Sequence, residues 1–525
     1  HMPVRSVLTL TVALGLAAAS PAIANNAGSY LAARSAIISN DYSEAADYYA
    51  RALAGDPTNP ELLENGLTAF LGLGDVDRAS ELGRRMNQLG LNSQIAGLVL
   101  LGDHAADGRW ETILADLEAG QSIGPLFDGL LTAWAHVGDG RMSDAIAAFD
   151  TVAQSNGVAA FGLYHKALAL ASVGDFEGAS EIFAGEAGAM LRLTRRGIVS
   201  YAQILSQLER NEDALDLLEQ TLGGQTDPEL TALVAALEAG EAVPFRTVQS
   251  PNDGVAEIYY SIANALAGEA QDAYTLLYAR MAEFLRPDHV DALLLTAELL
   301  ENLERYDLAT EVYNNVPTES PFFHAAELGR AAALRDSGNT EAAIEVLKAL
   351  QKTHGDLPLV HTTLGDTLRG LDRFDESIAP YNRAVSMVET AEPRHWPLFF
   401  ARGISHERIG NWPEAEADFR KALELQPDQP QVLNYLGYSF LEMRTNFDEA
   451  LELIERAVET ANVLATKWAA KELLGPNEYS IKLLDLLNEL LGGVVGGKAE
   501  PEIEVCQKVA DLYVFLVQHL INAEA

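Results

Sequence analysis

Few stretches of this 525-residue chain have the residue types and spacing of a reactive site. Gly492-Gly493-Val494-Val495-Gly496-Gly497-Lys498 has the spacing of a phosphate-binding loop, in which backbone amides cradle phosphate and a lysine reaches its outer oxygens. The next residue is Ala499, where magnesium coordination needs a hydroxyl, and Pro501 follows at once. A helical pattern precedes the glycines, where a strand should aim them, so the loop reads as an accident of composition. His406-Glu407 opens like a His-Glu-x-x-His zinc helix, but the second ligand position is Gly410. A metal there has no helical partner, and His406 reads as a packed, hydrogen-bonded ring. The eleven histidines are dispersed, and Cys506, the single cysteine, has no thiol partner and reads as core. No Gly-x-Ser-x-Gly elbow is present. Carboxylate pairs are abundant, but among 76 acidic residues their coincidence reads as solvated helix faces. The expectation is a chain with no catalytic, cofactor-binding or metal-binding residue.

Composition narrows the class. Hydrophobic residues make up 48% and charged residues 21%, proportions of a folded chain rather than a disordered one. The alanine- and leucine-rich texture lacks a long alternating pattern, which predicts an all-α protein. The length exceeds the usual ceiling for one core, so several domains or a solenoid are expected. A net charge of −40 argues against a nucleic-acid partner, because phosphate binding needs cationic surface. That charge has two readings: a solvated surface that keeps a long molecule soluble, or a negative inner groove that attracts a basic partner.

Near the amino terminus, Arg5 precedes a mostly apolar run from Val7 to Ala19, followed by Ser20-Pro21-Ala22-Ile23-Ala24. This is the pattern of a secretory signal over residues 1–24, cleaved after Ala24, and it predicts a periplasmic protein. A retained anchor is the alternative, although the run is short for a bilayer span. No cysteine follows it to carry a lipoprotein anchor, so no stable membrane span is expected after cleavage.

The elements themselves repeat. Ala45, Ala79, Ile113, Ala145, Ala179 and Ala214 follow one another at steps of 34, 34, 32, 34 and 35 residues. After a jump of 59 residues come Ala273, Ala309, Ala343, Ser377, Ala415 and Ala450, at steps of 36, 34, 34, 38 and 35. The slot follows a Gly-Asp-aromatic or similar turn and usually stands four residues before an aromatic or leucine. A period in this range means stacked supersecondary units. In 399–427 the unit reads Gly403, then Gly410-Asn411-Trp412-Pro413-Glu414-Ala415, Phe419, Ala422 and Pro427. Small residues let two antiparallel helices approach, the larger residue fills the gap between them, and proline ends the second helix. The pattern resembles the tetratricopeptide repeat over roughly residues 30 to 460. The expected fold is an all-α, α-α superhelical solenoid of tetratricopeptide-like helix hairpins with a C-terminal helical cap. Its parts are an N-terminal solenoid at 27–240, a Pro/Gly/Asn-rich loop at 241–254 that either joins two solenoid halves or is an insertion in one continuous superhelix, and a C-terminal solenoid at 255–460. Helical apolar spacing continues through 461–525. Residues 509–523 are similar to a helix of flagellin export chaperones, so this tail is either a cap or an accessory module.

Stacked hairpins make a concave groove lined by the first helix of each unit. The family resemblance implies that its inner positions include Thr362, Asp366 and Arg369, then Phe400, Ile404 and Glu407, then Asn434 and Tyr438. Packing against the next repeat is the alternative for each. The family's clamp for a terminal carboxylate needs lysines and asparagines, and only Asn434 has that character. The expected function is a non-catalytic scaffold of the bacterial cell envelope that binds protein or peptide partners in the groove. The alternative is an envelope assembly factor or chaperone whose activity lies in 461–525.

Overall fold

The computed structural model describes residues 21–470, apart from 186–187, 192–193 and 223–227. The apolar run at 7–19, the glycine-rich loop at 492–497, Cys506 and the tail beyond 470 lie outside the described residues. Side chains are described only from 28 to 460, so the contacts of a cap formed by 461–525 lie outside them too.

Among the described residues all regular structure is helical. Unit 1, up to Ala343, begins with α1 (Pro21–Ile38) and α2 (Tyr42–Gly55), then α3 (Pro60–Leu73) and α4 (Val76–Gln88). There follow α5 (Gln94–Ala106) and α6 (Trp110–Glu118), α7 (Pro125–Gly138) and α8 (Met142–Ala153), α9 (Ala159–Ser172) and α10 (Phe176–Ala184). The single turn α11 (Gly188–Leu191) leads to α12 (Arg195–Gln207) and α13 (Asn211–Leu222), then α14 (Pro228–Glu238). Next come α15 (Pro251–Leu266) and α16 (Asp272–Leu285), α17 (Val290–Asn302) and α18 (Tyr306–Tyr313), and α19 (Phe323–Asp336). The two compact units divide between Ala343 and Ile344, inside α20 (Thr340–Thr353). Unit 2 continues with α21 (Pro358–Gly370) and α22 (Phe374–Ser386), α23 (Trp396–Arg408) and α24 (Trp412–Leu425), α25 (Pro430–Glu442) and α26 (Phe447–Ala470).

The periodic slot has a physical meaning. Ala45, Ala79, Ile113, Ala145, Ala179, Ala214, Ala309, Ala343, Ser377, Ala415 and Ala450 are each the fourth residue of a second helix, and each is fully buried. Four residues on, Tyr49, Phe149, Phe183, Tyr313, Tyr381 and Phe419 fill the space between the helices of a pair or reach the next pair. The fit is close: a Cβ on Gly365 of α21 would lie 2.6 Å from the Tyr381 ring, and one on Gly403 of α23 2.7 Å from Phe419. Caps fix the helix starts, as where Asp75 accepts the Arg78 amide at the head of α4.

Ala273 is the exception, being only half-buried. Gly268 supplies the left-handed turn at φ 77°, as Gly74 does at φ 93° two residues ahead of α4. Here α16 starts at Asp272, four residues after the glycine. The longer turn passes the slot to Thr275, which is fully buried. The period therefore placed the hairpin correctly and the packed residue two positions early.

Candidate partner-binding groove

Stacking sets the first helices of successive hairpins side by side on one face. In unit 1 the protein's own chain covers that face. α16 packs on α3 and α5, while α15 packs on α5, α7 and α9. Every residue of α16 from Thr275 to Ala282 is buried, the mark of a helix with no solvent side. The seat is specific. The Tyr259 hydroxyl donates to the Leu98 carbonyl at 2.6 Å, and Arg280 Nε donates to the Gly72 carbonyl at 3.2 Å. Phe127 meets the Tyr259 ring edge-on, with centroids 5.0 Å apart. Gly254 lies so close to Trp134 that a Cβ there would stand 2.3 Å from the indole.

The segment before α15 also lies in this face, extended and antiparallel to α12. Val243 is held by Ser206 Oγ and Gln207 Nε2, the Arg246 amide donates to Gln203 Oε1 at 3.0 Å, and Thr247 Oγ1 meets Ser200 Oγ at 2.7 Å. The stretch read from sequence as a loop at 241–254 therefore splits into this strap and, from Pro251, the first turn of α15.

A polar cluster anchors the arrangement. Glu257 of α15 accepts from Arg196 Nη2 at 2.7 Å, the Tyr164 hydroxyl at 3.0 Å and His289 Nε2 at 3.3 Å. Arg196 Nη1 reaches Asp291 at 2.5 Å. Burial alone would raise the Glu257 carboxyl, but Arg196 and His289 outweigh it and hold the group well below the usual carboxylate range. A cavity of about 200 Å³ beside the cluster is lined by Phe161, Tyr164, Arg196, Tyr260 and Asn264 among others.

In unit 2 the eight residues expected to line the groove lie on three successive first helices. Thr362, Asp366 and Arg369 share one face of α21, Phe400, Ile404 and Glu407 one face of α23, and Asn434 and Tyr438 one face of α25. Asp366 is exposed, Asn434 is buried, and the other six are half-buried. Several are already engaged. Asp366 Oδ1 accepts from the Tyr381 hydroxyl at 2.7 Å, and Arg369 Nε donates to that hydroxyl at 3.1 Å. Thr362 Oγ1 donates to the Pro358 carbonyl within its own helix. Glu407 Oε2 accepts from Tyr435 at 3.1 Å, which ties α23 to α25. Phe400 sits among Trp396, Phe419 and Tyr435, edge-on to the last at 5.6 Å. The structure thus joins Phe400 and Glu407 through Tyr435, and Asp366 and Arg369 through Tyr381. Neither tyrosine was singled out from the sequence, although each falls on a regular repeat position.

His406 is buried, and its Nδ1 faces Asn411 Nδ2 at 3.3 Å. Burial lowers its pKa, in keeping with a neutral packed ring. Among the described residues no group of three or more His, Cys, Asp or Glu is placed to hold a metal, and no helix is long and apolar enough to cross a membrane.

The geometry defines a class built of stacked helical hairpins, and part of the chain is similar to a known family of that class. Residues 328–392 and 400–463 match the family profile described as tetratricopeptide repeat. It is 27% identical over 159 residues to human tetratricopeptide repeat protein 13, a match covering 29% of this chain and 18% of that protein. The chain thus spans less than a fifth of the length of that relative. Among solved structures, the anaphase-promoting-complex hetero-tetramer Cut9–Hcn1 aligns at 15% identity over 82% of this chain and 96% of that one, with a TM-score of 0.31. YrrB, described as a tetratricopeptide protein with an unusual peptide-binding site, aligns at 17% identity over 34% of this chain and 91% of its own, with a TM-score of 0.28.

Proposed function

We propose that this protein is a non-catalytic interaction scaffold of the bacterial cell envelope that takes a protein or peptide partner across α21, α23 and α25. One observation carries the reading. These three first helices hold equivalent faces toward one side, with an ordered aromatic group at Phe400 and polar groups at Asp366, Arg369 and Glu407. In unit 1 the equivalent face is filled from within. Apolar anchors flanked by a few orienting polar groups suit an extended peptide or a partner helix. The net charge of −40 supports a basic partner.

The test is affinity capture from envelope extract, with cross-linking to identify what touches unit 2. Phe400→Ala and Tyr438→Ala are each expected to weaken capture about tenfold or more, the size of an interface hot spot, while thermal melting confirms the fold. Capture left unchanged by both variants moves the site elsewhere. The alternative, an assembly factor or chaperone acting through 461–525, is separated by deleting that tail: capture that survives on residues 30–460 excludes it.

Export is part of the proposal and rests on the apolar run and the small residues before Asn25. Cell fractionation should place the protein in the periplasm with Asn25 at its amino terminus, and a protein isolated with residues 1–24 still attached would oppose it.

A further inference from the structure

Two histidines hold α15 in its seat, and both are set in the same way. His165 of α9 is fully buried, and its Nδ1 accepts the Trp134 indole N–H at 3.0 Å. An indole nitrogen can only donate, so Nδ1 carries no proton and Nε2–H donates to Ser261 Oγ of α15 at 3.2 Å. His289, at the head of α17, accepts the Ala292 amide on Nδ1 at 3.2 Å. An amide N–H is likewise donor only, so Nε2–H donates to Glu257 Oε2 of α15 at 3.3 Å. Glu257 and Ser261 lie four residues apart, on one face of α15. A second proton on either ring would set one N–H against another in a buried place.

The charged and titratable groups around these rings are few. Glu257 of α15 and Tyr164 of α9 lie near His165, with ring centroids of Tyr164 and His165 5.6 Å apart. Arg196 of α12, Glu257, and Asp291 of α17 surround His289, with the Tyr260 ring 4.7 Å away. Burial lowers both histidines, Arg196 adds to it at His289, and Glu257 opposes it at both.

We infer that the hairpin of α15 and α16 is an intramolecular occupant of the unit 1 groove with an acid-labile seat, which loosens when His165 and His289 take up protons. The sign follows from linkage. A histidine whose folded pKa lies below its unfolded value gives up stability as pH falls from the unfolded value toward the folded one. For His165 that window runs from 6.5 down to about 4. Glu257, whose folded pKa is also depressed, keeps its contribution until pH falls below 4.5. The upper part of the window therefore belongs to the histidines.

Hydrogen exchange on the full chain at pH 7 and pH 5, corrected for intrinsic rates, tests this. Opening of α15 should rise on the order of 20-fold from His165 alone, while α25 of unit 2, which carries no histidine, changes by less than about threefold. His165→Gln with His289→Asn keeps an acceptor and a donor at each place without titrating, and should abolish the response. Should that variant fail to fold, NMR titration of the two imidazoles in the unaltered protein reads the same property. Protection of α15 that is equal at both pH values, or is lost in step with every helix of both units, overturns the inference. So does a folded double variant that keeps the full response, or imidazoles that titrate at the ordinary histidine value.

Discussion

Glu257→Gln should lower the stability of unit 1 by about 3–5 kcal/mol, the cost of breaking a buried ion pair by removing one partner. The carboxylate receives N–H or O–H donors from Arg196, Tyr164 and His289 and is shut away from solvent. A carboxamide of the same shape offers one acceptor oxygen, and its NH2 group can find an acceptor only in the Tyr164 hydroxyl, since Arg196 and the His289 Nε2–H cannot accept. Arg196 keeps only Asp291 as an anionic partner. Denaturant unfolding read by tryptophan fluorescence, in which Trp110 and Trp134 report on unit 1, measures the loss. A second variant tests the cause: Glu257→Gln combined with Arg196→Met removes the stranded cation and should recover part of it, because replacing both partners of a buried pair costs less than replacing one. A loss under about 1 kcal/mol for the single change would show that the cluster does not hold α15.

The second large effect is expected where α15 crosses α7. A methyl group on Gly254 would fall 2.3 Å from the Trp134 indole, whose ring is fixed edge-on to Phe149 at 5.7 Å and bonded to His165. Gly254→Ala should cost about 1–3 kcal/mol by overpacking. Trp134→Ala should cost about 3–5 kcal/mol by opening a cavity. The two together should cost less than their sum, since the space left by the indole admits the methyl group. A coupling of at least about 1 kcal/mol in a double-mutant cycle is the expected result. Strict additivity would place Gly254 away from the indole in solution.

These effects mark the limit of what could be read from the chain. Hairpins announce themselves because one close-packed position recurs at the fourth residue of each second helix, and close packing admits few residue types. Where the turn lengthens before α16, the same logic misplaces the buried residue from Thr275 to Ala273. The inner hairpin left only indirect traces: the 59-residue jump, and a stretch from Thr275 to Ala282 in which Arg280 is the one charged residue. Periodicity can show that a helix is covered all round, but not which helices cover it. The candidate groove was partly legible. The family resemblance put Phe400 and Glu407 on one helical face, but their joint partner Tyr435 lies on another helix; Asp366 and Arg369 pair directly within α21 at 3.4 Å, and the Tyr381 hydroxyl that bridges them belongs to α22.

Arrays in which each repeat touches only its neighbours can be shortened, lengthened or made stepwise. The bonds from Tyr259 to Leu98 and from Arg280 to Gly72 join residues 161 and 208 positions apart. As the polypeptide leaves the ribosome, the earlier helices must wait for the segment that completes their interior, with greasy surface bare in the meantime. Unit 1 should therefore mature late and all at once, and cutting the gene before codon 251 should yield an aggregate rather than a shorter working array.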